Sequence, residues 1–192
     1  MDIAYLIANA SVIAWLLPIL RQFKSKLFYF FLILGLLDPL NRLIATYLNL
    51  FQPGIIFSIG SLLLFFSIEN TIQDLLKNWI INLSLLAGCI ISMLIIPKLE
   101  ILVALIQILI LYKFIKIVVI KLHNQGEFNL FYLVLIFYEI SAIFNLILLS
   151  IGTPANVVVF VSTITFQILV AIFFTIFRED SKRLAFQVKV AK

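Results

Sequence analysis

The sequence predicts an all-α protein, a polytopic integral membrane bundle of seven transmembrane helices, and three observations carry that prediction. Hydrophobic residues make up 64% of the chain and charged ones only 12%. The mean hydropathy is +1.21. The apolar residues fall into seven runs separated by short polar stretches. Soluble domains carry about a quarter of their residues as Asp, Glu, Lys and Arg, so this composition argues against an ordinary water-soluble fold. Each crossing of a hydrocarbon core about 30 Å thick uses about 20 residues, and seven runs leave no room among the 192 for a separate soluble domain. One transmembrane domain, 1–177, and a basic tail, 178–192, are expected. The lipid bilayer is the expected partner. The net charge of +5 reads as orientation determinants beside apolar spans, and nucleic acid is not expected as a partner.

The first run, Ile3 to Leu20, has an acid and no base before it, unlike the positive start of a cleavable signal peptide, so it is expected to remain as a helix. The second, Leu27 to Leu50, is apolar except near its middle. The third, Gly54 to Ile68, is short, and 70–79 either forms an interfacial helix, with Ile72, Leu75, Leu76 and Trp79 on one face, or prolongs the run as a frayed end. The fourth, Trp79 to Ile96, places Ser84, Gly88 and Ser92 four residues apart. Such a face lets another helix approach closely, and packing inside the bundle is expected ahead of a homodimer. The fifth, Ile101 to Ile120, carries Lys113 and Lys116 too early to lie outside the membrane, so their stems are expected to snorkel toward headgroups. Leu130 to Ile151 and Val157 to Phe177 complete the set.

The charges alternate between the two sides. Arg21, Lys24 and Lys26 follow the first run, Lys77 precedes the fourth, Lys113, Lys116 and Lys121 end the fifth, and Arg178, Lys182, Arg183, Lys189 and Lys192 follow the seventh. The opposite loops contribute only Lys98. This bias predicts an outside amino terminus, a cytoplasmic carboxyl terminus and residence in the plasma (cytoplasmic) membrane. In the tail, Leu184, Phe186, Val188 and Val190 alternate with Ala185, Gln187, Lys189 and Ala191. An unstructured basic tail is expected there, ahead of a strand added to a partner's sheet.

Candidate chemistry is concentrated in the second run. Gly35, Asp38, Asn41, Arg42, Ala45 and Asn49 make a small and polar stripe at helical spacing, which should face the bundle. Asp38 and Arg42, four apart, can neutralise each other. Pro39 removes a backbone donor and crowds the turn near Gly35, so these two residues are a candidate hinge. Glu139 falls at similar depth in the sixth run, near Asn145. It either reaches Arg42 or is kept neutral by desolvation. A coupling or ligand site between the second and sixth runs, joined by Gln107, Thr163 and Gln167, is the expectation.

Other chemistries lack their groups. Cys89 is the only cysteine and His123 the only histidine, so neither a metal cluster nor a disulfide is expected, and no cofactor is. No nucleophile elbow or phosphate-binding glycine loop occurs, and no enzymatic activity is expected. Microbial rhodopsins need a lysine in the last helix, and Val157 to Phe177 has none. WLLPILRQFKSK loosely resembles the PQ-loop of SWEET-type sugar transporters over about a dozen residues, but Pro18 and Gln22 are separated here instead of adjacent. Family membership does not follow. The functional expectation is a sensing or accessory membrane protein that engages a ligand or a membrane protein partner, with a small transporter of a polar solute or proton as the alternative. Asp38 and Glu139, each midway along the central run of a triplet, hint at an internal repeat that one pair of positions does not establish.

Overall fold

The apolar runs form seven α-helices: α1 (Ile3–Arg21), α2 (Phe28–Leu48), α3 (Pro53–Ser67), α4 (Trp79–Ile95), α5 (Leu99–Gln125), α6 (Leu130–Ile151) and α7 (Val157–Ile176). The computed structural model describes residues 3–48, 53–69, 79–95, 99–151 and 157–187. Among the described residues the protein is all-α apart from two three-residue strands, β1 (Glu127–Asn129) and β2 (Ala185–Gln187). Leu99–Gln125 and Leu130–Leu148 are long and apolar enough to cross a membrane. Whether 70–78 forms an interfacial helix lies outside the described residues, as does Asn49.

Six helices make a ring. α1 packs on α2, α2 on α3, α3 on α5, α5 on α6 and α6 on α7, and α7 returns to α1. α4 lies outside it, in slight contact with α3 and α5. Each ring helix turns one stripe inward, as in α5, where Leu99, Val103, Ile106, Gln107, Ile110 and Phe114 are buried at intervals of three and four. Two glycines set the spacing around α2. A Cβ on Gly35 would stand 2.6 Å from the Trp15 carbonyl oxygen, so α1 approaches α2 more closely than a side chain permits, while one on Gly60 would stand 2.2 Å from Leu37 Cδ1, a side-chain tip that would have to shift. At the end of the ring where α2 and α6 begin, Phe31, Phe131 and Phe174 stack with centroids 4.9 to 6.1 Å apart, and Phe30 meets Phe114 at 5.4 Å. These rings are buried and close that end.

Several expectations are corrected. Ser84 and Gly88 are exposed, and a Cβ on Gly88 would meet nothing within 4 Å, so among the described residues no helix packs closely on the face at Ser84 and Gly88, and Ser92 is half-buried. α4 is held through Leu85 and Cys89 instead. Lys113 does not snorkel: its Nζ lies 3.0 Å from Glu69 Oε1, donates to the Phe65 carbonyl at 3.0 Å and sits 3.4 Å over the Phe65 ring. The fifth helix continues to Gln125, which places His123 on its last turn. Gly126, with a φ of 60° and its N–H donated to the Leu122 carbonyl, ends that helix in the left-handed manner glycine allows. The described part of the tail is structured: β2 pairs antiparallel with β1, Phe186 opposite Phe128. The strand anticipated for a partner's sheet is used within the chain, because the loop after α5 offers it an edge.

Candidate functional site

A cavity of about 200 Å³ lies inside the ring, beside the aromatic stack. Five helices supply its polar wall: Asp38 from α2, Ser61 from α3, Gln107 from α5, Tyr138 and Asn145 from α6, and Gln167 from α7. Trp15, Phe57 and Leu64 are among the apolar lining. The polar residues stand near the middles of their helices because each interrupts an otherwise apolar inward stripe at about the same height.

The hydrogen bonds divide the wall into joined and open groups. Gln107 Nε2 donates to Ser61 Oγ at 3.4 Å and ties α5 to α3. Thr163 Oγ1 donates to Asn145 Oδ1 at 3.3 Å and ties α7 to α6. Gln107 Oε1 is buried without a partner. Asp38 makes no hydrogen bond and no salt bridge among the described residues. Trp15 and Tyr138 meet with centroids 4.9 Å apart, their planes inclined at 57°.

Arg42 is not joined to Asp38. Its guanidinium reaches across to α1, where Nη1 donates to Asn9 Oδ1 and Nη2 to the Ala8 carbonyl at 3.4 Å. The cross-helix acceptors outcompete the neighbour four residues away. Glu139 meets neither Arg42 nor the cavity: it is fully buried, and both carboxyl oxygens lack a hydrogen-bond partner. Asn41 also stays off the lining, with a buried Oδ1 that has no partner. No family model, curated protein or solved structure matches this chain. Of the sequence-derived residues, Asp38, Gln107, Asn145 and Gln167 meet on one cavity, with Thr163 behind Asn145; Asn41, Arg42 and Glu139 do not join them. At the hinge candidate, α2 remains helical on both sides of Pro39, and Gly35 acts as a contact point with α1.

Trp15, Phe57, Ser61 and Tyr138 are among the lining residues that the sequence did not mark as site members. Ser61 carried a signal, since Ser58, Gly60 and Ser61 interrupt an apolar run at its centre. A second polar cluster, at the aromatic end, was also missed. Gln22 Nε2 donates to the Phe174 and Phe177 carbonyls at 2.9 and 2.8 Å, and its Oε1 accepts the Glu179 N–H at 3.3 Å. Glu179 accepts from the Leu27 N–H at 3.2 Å and from the Tyr132 hydroxyl, and Asn129 Nδ2 reaches the Glu179 carbonyl at 3.5 Å. This cap satisfies carbonyls at the end of α7 that have no partner inside the helix. It binds α1, α2, α6 and α7 together where the tail leaves the bundle.

Among the described residues, no group of three or more metal-ligating side chains assembles. The wall of the cavity offers amide and hydroxyl hydrogen-bonding groups, one carboxylate and aromatic faces.

Proposed function

We propose that this chain is a non-enzymatic, seven-span protein of the plasma membrane, amino terminus outside and tail cytoplasmic, that binds a small polar solute in the central cavity and works as a sensor or accessory subunit. Convergence carries the reading: five helices each contribute a polar side chain to one concave site of ligand size. A few convergent polar groups in an otherwise apolar cavity are the usual make-up of a small-molecule site. The membrane setting is supported by large apolar side chains on the outer faces, with Leu20 78%, Ile95 73% and Leu169 61% exposed, an arrangement that water would penalise and lipid would not. The tail cap touches the same helices that enclose the cavity, so an occupant that shifts α6 against α7 has a route to the cytoplasmic side. The free face of α4 is available to a membrane protein partner or a second copy.

A second reading, a small transporter, is favoured by the ring order. α1–α3 and α5–α7 occupy equivalent halves around the cavity, as parallel repeats do in some transporters, and Glu139 offers a buried carboxyl for proton coupling. The two part in one experiment. Purified in mild detergent, a sensor or accessory subunit brings a stoichiometric partner with it, and in liposomes it moves no solute. Solute uptake that disappears in Asp38→Asn and Glu139→Gln would replace the first reading with the second.

A further inference from the structure

The wall of the cavity bears one formal charge, the Asp38 carboxylate. Arg42, the base nearest in sequence, is bonded to α1 and stands outside the lining, and Lys113 is paired with Glu69. Asp38 is exposed, so its carboxylate is open to an occupant, and a carboxylate at an apolar cavity is stabilised when a cation supplies its counter-charge. Gln107 Oε1, an acceptor on a residue only 8% exposed, lacks a donor. Trp15, Phe57 and Tyr138 line the same space, and aromatic faces attract cations. An open carboxylate, an unpartnered carbonyl oxygen and three rings ask for a ligand that is positive, donates N–H bonds and carries a short carbon skeleton.

We propose that the occupant is a small primary ammonium ion, its charge paired with Asp38, an N–H satisfying Gln107 Oε1 and its carbons against Trp15 and Tyr138. The inference rests on the central cavity being the binding site. A void of about 150 Å³ accommodates benzene, so about 200 Å³ accommodates a ligand of comparable or slightly greater size.

Three probes of similar length separate the outcomes when titrated calorimetrically into the full chain in lipid nanodiscs at neutral pH. Aminobutanol is a monocation, butanediol its uncharged counterpart and aminobutyrate a zwitterion. Aminobutanol is expected to bind at least tenfold more tightly than butanediol, and Asp38→Asn to erase that difference. If Asp38→Asn does not fold, Gln107→Met takes its place and is expected to weaken aminobutanol several-fold more than butanediol. Butanediol binding as tightly as aminobutanol would overturn the ammonium inference and leave the cavity as a polar-solute site. Aminobutyrate binding tightest would overturn it too, and would bring Arg42 in as a second anchor. No binding of any probe would overturn both the inference and the binding-site reading beneath it.

Discussion

The polar cap at the aromatic end and the cavity at mid-height use the same side-chain types to opposite ends. In the cap, Gln22 and Glu179 are buried and fully engaged: amide, carboxylate, hydroxyl and backbone groups satisfy one another across four helices. On the cavity wall, Gln107 Oε1 is buried without a hydrogen-bond partner, and the Asp38 carboxylate, which is exposed, makes no hydrogen bond among the described residues. A buried polar group left unsatisfied costs about 1–3 kcal/mol, more when charged. The cap therefore stabilises the fold, while the cavity detracts from stability, and such a site is retained where an occupant supplies the missing partners.

The sharpest test of that contrast replaces a glutamine in each cluster. Gln22→Leu removes two bonds from carbonyls at the end of α7 and the acceptor for the Glu179 N–H. A loss of about 3 kcal/mol is expected from three groups orphaned together, read as a lowered midpoint of thermal unfolding in detergent. Gln107→Leu removes one 3.4 Å bond and also an orphan oxygen. Its expected change in stability is under about 1 kcal/mol, while ligand binding falls. Equal losses from the two substitutions would end the distinction between a structural and a receptive cluster.

A smaller effect separates the ring from the helix outside it. Gly35→Ala places a methyl group 2.6 Å from the Trp15 backbone oxygen, which cannot swing aside as a side-chain tip can. Forcing α1 and α2 apart costs about 1–3 kcal/mol, the range for overpacking. Gly88→Ala meets open space and is expected to stay within about 1 kcal/mol of the parent, since only helix propensity changes. Unfolding midpoints of the two variants measured side by side check the pair.

The sequence made the helices legible because composition and run length are local properties. It also singled out Asp38, Gln107, Asn145 and Gln167, since a polar residue centred in an apolar run has few places to go except inward. Whom each residue meets was not legible. The spacing of Asp38 and Arg42 offered an ion pair, but Asn9 and the Ala8 carbonyl on α1 took Arg42, and only the approach of α1 to α2 decides that. Spacing also made the Ser84, Gly88, Ser92 face look like an internal contact; the ring closed without α4, and periodicity does not reveal which helix is left out. The cap was hidden for a similar reason. Gln22 and Glu179 are separated by most of the chain and meet because α7 returns to α1.

Arg42 gives the smallest change in stability and the most informative change in binding. It is exposed, and its bonds to Asn9 and Ala8 lie toward the end of the ring away from the cap, so Arg42→Gln is expected to alter stability by under about 1 kcal/mol. Its charge nevertheless lies one helical turn from Asp38 and opposes a cation in the cavity. Removing it should tighten aminobutanol by about threefold, which corresponds to about 0.6 kcal/mol and is modest for unit charges within a few turns at an effective dielectric constant near 20. Butanediol, having no charge, should be unaffected. Weaker aminobutanol binding in Arg42→Gln would mean that the contact between α1 and α2 shapes the cavity mouth more than the charge disfavours the ligand, and the open end would then be a fixed part of the site in the way the cap is fixed.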